Sequence, residues 1–245
     1  MSKYDFSVVI PAHNEEDYIG KCLKSVRKAA KAVSPQRVQI IVVANRCTDR
    51  TAAIAKNYGA EVLANDEKCI ASIRNTGVKA ALGNIVVTID ADSTMSKNSL
   101  REIRAMLSCG KYIGGGTNPR FDRMSLGIAL SSVYILICIL PEIIRARAFL
   151  SGAMFWFYKR DFMAVGGFDE KLVSLEDIDF AKRLKKYGES RNKKYGTLRK
   201  SYIITSSRKF DQFGDWYLLK NRKLVKQIFS GKNRKAADSF YYDAR

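Results

Sequence analysis

From Phe6 to Ile89 the chain keeps returning to one pattern: a short β-branched or apolar run, then a stretch with helical spacing. That alternation builds βαβ units, whose crossovers force neighbouring strands to run parallel and lay helices over the sheet. Phe6 to Ile10 reads as a buried strand ended by Pro11. Asn14 then reads as a helix N-cap, with Glu15, Glu16 and Asp17 in the first turn and Tyr18, Ile19, Cys22, Leu23 and Val26 on one helical face. Val38 to Val43 is a second strand, followed by a helix capped by Thr48 or Asp49 and stopped at Gly59. Glu61 to Leu63 makes a short third strand, and a helix from about Ile70 is expected to stop at Gly83. Ile85 to Ile89 is an almost pure β-branched strand that ends at Asp90, and Leu100, Ile103 and Leu107 mark another amphipathic helix.

The second half is less regular. Met124 to Pro141 carries no charge and is long enough to raise the question of a membrane span. Ala153 to Tyr158 is an aromatic strand, and Gly166-Gly167 a turn. Ser174 to Tyr187 is a loop feeding a helix with an acidic start, stopped by Gly188. Tyr202 to Thr205 is a late strand, and Trp216 to Phe229 a basic amphipathic helix.

Composition narrows the chemistry. The five cysteines are scattered without a C-x-x-C pair, which argues against a disulfide framework or zinc site and suits a reducing compartment. His13 is the only histidine, so histidine metal clusters and a Ser-His-Asp triad elsewhere are excluded. His13 itself reads as a packing or polar residue of its loop. The net charge of +19 calls for an anionic partner: nucleic acid, an acidic membrane surface or phosphorylated substrates. The basic residues concentrate late, in Lys182 to Lys186, Arg191 to Lys194, Arg199-Lys200 and Lys220 to Lys235.

Asp90-Ala91-Asp92 lies at the carboxyl end of an apolar strand, where open α/β sheets bind ligands. Two carboxylates at that spacing can meet one hard cation while leaving positions for phosphate oxygens, although Asp-x-Asp also simply begins turns. Pro11-Ala12-His13-Asn14-Glu15-Glu16, where first strand meets first helix, offers backbone amides to a nucleoside or is a plain helix cap. Asn45, past the second strand, is a base-reading amide or a turn residue, and Arg74 a phosphate or base contact or a surface charge. Glu176-Asp177-Ile178-Asp179 combines a favourable acidic helix start with a candidate general base.

In this order, SVVIPAHNEEDYIGKCLKSV, IIVVANRCTDRTAAIA, IRNTGVKAALGNIVVTIDAD and GGFDEKLVSLEDIDFAKRLKKYG resemble the family 2 glycosyltransferases of the GT-A fold over residues 5 to 190. The resemblance implies an α/β, Rossmann-like, mixed and mostly parallel sheet flanked by helices, here with an apolar helix and a basic C-terminal extension. A single GT-A domain is then expected over residues 1–215, with a nucleotide-binding half (1–115) and an acceptor half (116–215), followed by the helical extension 216–245. It also implies an inverting, single displacement from a nucleotide-diphosphate sugar, dependent on Mn2+ or Mg2+. Pro11, Ala12, Asn14 and Glu15 match the first nucleotide-binding loop, and Arg74 a nucleotide-contacting arginine. Asp90 and Asp92 match the D-x-D motif, with Asp92 the more direct metal ligand, and Asp177 matches the catalytic base beside Glu176 near the acceptor. Ala44-Asn45 replaces an acidic pair of which the second member meets uracil, which opens the base selectivity; Asn45 can still pair with uracil, so a UDP-sugar is favoured while guanine stays open. Ser151-Gly152-Ala153 falls on the donor-sugar pocket, and Ser207-Arg208-Lys209 resembles a basic motif that closes over the diphosphate.

A membrane crossing at Met124–Pro141 would put the D-x-D and the base on opposite sides of the bilayer, so a simple transmembrane helix is not expected. A buried core helix, a homodimer helix or an interfacial helix remain, and Arg120, Arg123, Arg145 and Arg147 suit ends that meet lipid phosphates. The expectation is a hexosyl- or N-acetylhexosaminyltransferase with a hydroxyl acceptor, lipid-linked or of the cell envelope, in the cytoplasm and peripheral on the inner membrane face. The competing classes are a nucleic-acid-binding basic protein, which lacks aromatic-interleaved recognition motifs, and a non-catalytic nucleotide-sugar binder.

Overall fold

The computed structural model describes residues 3–146, 153–172, 174–221 and 224–225. The expected alternation is realised as β1 (Tyr4–Ala12), α1 (Ile19–Ala32), β2 (Val38–Asn45), α2 (Thr51–Asn57), β3 (Glu61–Asn65), α3 (Ile70–Ala80) and β4 (Gly83–Ile89). There follow β5 (Ser93–Met95), α4 (Ser99–Ser108), β6 (Tyr112–Phe121), α5 (Leu126–Ala146), β7 (Met154–Tyr158), α6 (Lys159–Ala164) and α7 (Glu176–Glu189). The chain continues through β8 (Lys194–Thr205), α8 (Arg208–Phe213) and α9 (Tyr217–Lys220). The strands form one sheet in the order β3-β2-β1-β4-β7-β6-β8-β5. β3, β2, β1 and β4 are parallel, β7 is antiparallel to both β4 and β6, and β8 runs parallel to β6. β2 and β4 flank β1 on opposite sides, so the chain reverses its winding there and leaves a crevice beyond the carboxyl ends of β1 and β4.

Both faces of this sheet are covered, which is why its central strands are mostly apolar, with the buried Ser7 hydroxyl donating to Gln39 Oε1 at 2.6 Å. Phe6, Val8 and Ile10 face α1 and α4 through Leu23, Val26, Leu100 and Ile103, whereas Val9 turns to the opposite layer with Ala71 and Val78 of α3. β7 divides the same way, with Met154 and Trp156 on the first face and Phe155 and Phe157 on the second. Phe155, Phe157, Phe162, Phe168 and Phe180 form one ring cluster with centroids 4.4 to 5.9 Å apart, tying α6 and α7 to the sheet.

Several boundaries differ from expectation. α1 begins at Ile19, so Asn14 is not its N-cap and Glu15 to Asp17 lie in a preceding turn. Gly83 opens β4 rather than stopping α3, because a side chain there would meet the Phe6 backbone at 2.3 Å. Gly188 lies inside α7, where a Cβ would fall 2.7 Å from Ile113 Cγ2. Of the expected helix Trp216 to Phe229, the described residues show α9 and helical residues 224–225, and most of the basic extension lies outside them.

α5 is not a buried core helix. Its inner face sets Ile128 against Phe210 and Val225, while Leu126, Leu130, Val133, Ile137, Leu140 and Ile144 are 43 to 70% exposed. Among the described residues no helix is long and apolar enough to cross a membrane. Arg123 is drawn to Asp211 at 2.6 Å and Asp215 at 2.7 Å, and Arg120 stacks 3.9 Å from the Tyr202 ring centroid. The Arg145 side chain and Arg147 lie outside the description.

β6 was not expected, since Gly114-Gly115-Gly116 and Pro119 are poor strand formers. The glycines make room for Trp156, whose indole N–H donates to the Gly116 carbonyl at 2.8 Å. A Cβ on Gly115 would sit 2.0 Å from the Gly196 carbonyl oxygen and 2.4 Å from Trp156 Cζ2. Gly115→Ala is therefore expected to destabilise the protein by about 3 kcal/mol in urea unfolding, the upper part of the overpacking range. Gly20→Ala, on α1 with only ordinary contacts at 3.7 Å and beyond, is expected to be neutral or stabilising by up to about 1 kcal/mol.

Candidate active site

At the end of β1 the chain turns through Asn14, whose backbone is left-handed at φ 49°. Its side-chain oxygen accepts from the Thr48 amide at 2.9 Å instead of capping α1. The Glu15 amide donates to Thr51 Oγ1 at 2.7 Å and the Glu16 amide to Asp49 Oδ2 at 3.0 Å, while His13 Nδ1 lies 2.7 Å from the Asn45 carbonyl. The loops after β1 and β2 are thus bolted together, just beyond the buried Pro11 and Ala12 that end β1. Thr48 and Asp49 read in the sequence as a helix start; their second use, and that of Thr51, across 33 to 36 residues has no local signature.

Asn45 is fully buried. Its Nδ2 donates to the carbonyls of Asn65 at 2.7 Å and Glu67 at 2.8 Å, so the donor half of the amide holds the loop after β3. Its Oδ1 has no hydrogen-bond partner among the described residues. The amide therefore offers acceptance, not the paired donation and acceptance expected from the residue type alone.

Asp90-Ala91-Asp92 forms a turn beyond β4, with the Ser93 amide donating to the Asp90 carbonyl at 3.0 Å. Arg74, expected as a nucleotide contact, is buried beneath it. Its Nη2 donates to Asp90 Oδ1 at 3.1 Å and its Nη1 to Glu176 Oε1 at 2.6 Å, bridging the metal motif and the start of α7. Burial works against the Arg74 charge, but Asp90 and Glu176 outweigh it and leave the pKa raised. On the other flank Arg208 meets Asp92 Oδ2 at 3.1 Å and grips both carboxylate oxygens of Glu15 at 2.6 Å.

Leu175, left-handed at φ 64°, turns the chain into α7 and delivers Glu176 and Asp177 to the site. Asp177 Oδ1 accepts from the Ile178 amide at 2.7 Å. Burial holds the Asp177 carboxyl above its ordinary range against the pull of Arg74, and burial together with the Asp177 charge raises Glu176 as well. Below the turn, Cys22 Sγ points to the Asp90 carbonyl at 3.7 Å, and burial followed by the charges of Asp92, Asp90 and Glu15 pushes its thiol up. Glu15, Asp90, Asp92, Glu176 and Asp177 thus share a site balanced by Arg74 and Arg208. Ser151 and Gly152 lie outside the described residues.

Among the described residues no group of three or more histidine, cysteine or carboxylate side chains could enclose a metal ion. A divalent cation that shares a diphosphate does not need one, because one or two carboxylates suffice when phosphate oxygens complete the shell. Asp92 fits that use: it is mostly buried, faces a cation already, and stands in an acidic excess.

Residues 7–163 match the model of glycosyl transferase family 2. An uncharacterized glycosyltransferase of Mycobacterium tuberculosis is 34% identical over 104 residues, covering 42% of this chain and 44% of the relative. The glycosyltransferase AglE of Haloferax volcanii is 27% identical over 75% of this chain and 62% of its own length. The chain thus matches less than two thirds of the length of these curated relatives. Staphylococcus aureus TarS 1-349 superposes with a TM-score of 0.61 at 20% identity, over 96% of this chain and 69% of that one. Glucosyl-3-phosphoglycerate synthase of Mycobacterium tuberculosis, in complex with Mn2+, UDP and phosphoglyceric acid, gives 0.60 at 17% over 94% and 79%. At such identities the two structures establish a shared fold. With the family model spanning well over half of the sequence, the chain belongs to glycosyl transferase family 2.

Proposed function

We propose that the protein is an inverting, metal-dependent transferase that moves a sugar, a hexose or N-acetylhexosamine, from a UDP-sugar to a hydroxyl acceptor. The observation that carries this reading is the half-buried Asp177, next to Glu176, which Arg74 ties to Asp90 of the D-x-D turn. The acceptor hydroxyl gives its proton to Asp177 as its oxygen bonds to the anomeric carbon, and the bond from that carbon to the diphosphate breaks with its electron pair. Burial holds the Asp177 carboxyl above the ordinary carboxylate range, which makes it a stronger base toward the acceptor proton. A divalent metal, Mn2+ or Mg2+, held by Asp92 with Asp90 beside it, would neutralise the departing diphosphate. Arg208 would add a second positive charge, the loop of Pro11, Ala12 and Asn14, braced by Glu15, would seat the nucleoside, and Ser151-Gly152 would line the sugar pocket. The Asn45 Oδ1 acceptor suits a base that presents an imino N–H, as uracil and guanine both do. A TarS structure in complex with UDP-GlcNAc and a synthase structure with Mn2+ and UDP support the donor class.

The outer face of α5 supports an acceptor at a lipid surface. Met124, Leu126, Leu130, Val133, Leu136, Ile137, Leu140 and Ile144 are all exposed without a charged residue between Met124 and Pro141. At this exposure each side chain contributes on the order of 50 to 100 Å2, and together they reach the size of patch that marks an interaction surface. Exposed Trp216 beside the start of α5 and the net charge of +19 suit an anionic interface better than a second, equally basic copy.

Asp177→Asn is expected to lower kcat about 10²- to 10⁴-fold while retaining UDP binding. Because the base acts deprotonated and its pKa is raised, wild-type kcat/KM should fall with decreasing pH above the ordinary carboxylate pKa of about 4. An acid limb at or below that value would remove Asp177 from the role. In co-sedimentation with phosphatidylglycerol vesicles the wild type should bind and the Leu130→Ser/Ile137→Ser double variant should not. A dimer by light scattering that the same variant splits would assign the face to a second copy instead.

A further inference from the structure

Arg208 lies 193 residues after Glu15, and the two form a close ion pair across the crevice. Nη1 donates to Glu15 Oε2 and Nη2 to Glu15 Oε1, both at 2.6 Å, a bidentate geometry that fixes the guanidinium plane. The Tyr18 ring covers the guanidinium at 4.7 Å from its centroid. The backbone is held too, since the Ser207 amide donates to Asp122 Oδ1 at 2.9 Å. Glu15 is only 2% exposed, so its carboxylate is a built seat rather than a solvated surface charge. From this seat Nη2 also reaches Asp92 Oδ2 at 3.1 Å.

We propose that Arg208, stationed by Glu15, is an internal cation that occupies the metal-binding carboxylate Asp92 until metal and diphosphate arrive together, so that the two ligands bind with positive coupling. This rests on the function proposed above and assigns Glu15 a positioning role in place of direct nucleoside contact. A metal binding alone must break the Arg208–Asp92 contact and then lie beside an unscreened guanidinium, which like-charge repulsion opposes. A diphosphate removes both penalties, because its oxygens accept the freed N–H and separate the two positive charges. The bonds to Glu15 need not break, so Arg208 stays in the site and changes only one partner. By linkage the nucleotide must raise metal affinity by the same factor as the metal raises nucleotide affinity.

The test is a Mn2+ titration followed by the free-ion EPR signal, with and without UDP, on the full chain. Wild type should bind Mn2+ weakly alone and tighter with UDP, by a factor in the usual coupling range of about 5 to 150. Arg208→Gln should bind Mn2+ about tenfold tighter than wild type without UDP, a change within that range, and show a smaller enhancement by UDP. Since Arg208→Gln takes the guanidinium away from a buried carboxylate, Glu15→Gln/Arg208→Gln, which places two neutral amides there, is measured alongside and should behave the same way. Unchanged or weaker Mn2+ affinity without UDP in the folded double variant overturns the proposal. If wild type binds UDP and Mn2+ but the coupling does not depend on Arg208, this inference alone fails. If wild type binds neither, the proposed function fails with it.

Discussion

Five carboxylates converge at one end of the sheet, and the site depends on the two arginines threaded between them. Arg74 is 6% exposed at its side chain and Glu176 9%, so their 2.6 Å ion pair lies where water does little to screen it. Breaking such a pair from one side costs about 3–5 kcal/mol, because the remaining charge stays buried. Through Asp90 the same guanidinium reaches the D-x-D turn, so the start of α7 and the turn after β4 are held in one geometry. Arg208 performs the matching task across the cleft, joining Glu15 to Asp92.

The scaffold makes that arrangement possible by confining polarity to strand ends. β1 and β4 are covered on both faces, so polar side chains with chemistry to do emerge where each strand leaves the sheet. The loop after β1 could not serve as a ligand platform if it simply entered α1. Asn14, Glu15 and Glu16 are fastened to Thr48, Asp49 and Thr51, which delays the helix to Ile19 and leaves a shaped edge beside Asp92. At the antiparallel side Trp156 plays a comparable role, locking β7 to the glycine run of β6.

Much of this architecture was legible in the residues. The β-branched runs gave β1, β2, β3 and β4, and apolar spacing gave α1 and α4. The aromatic run gave β7, and the Asp90-Ala91-Asp92 turn stood where the order of motifs required. β6 was illegible because glycine there reports a neighbour's bulk rather than a turn, and that neighbour, Trp156, lies 41 residues away by sequence number. Arg74 was recognisable as important, but its partners Asp90 and Glu176 come from two different elements. α5 was visible as an apolar helix; which of its faces stays exposed was not.

The sequence by itself determined the βαβ alternation, the ends at which chemistry could collect and the identity of the acids and arginines. Periodicity and strand termini are local properties, and a single chain displays them. Tertiary structure alone decided that Glu15 seats Arg208, that Asn45 turns its donors inward, and that Arg74 ties Asp90 to the helix of Asp177. Those outcomes depend on which distant side chain reaches a buried polar group, and that is set by the packing of elements, not by spacing along the chain.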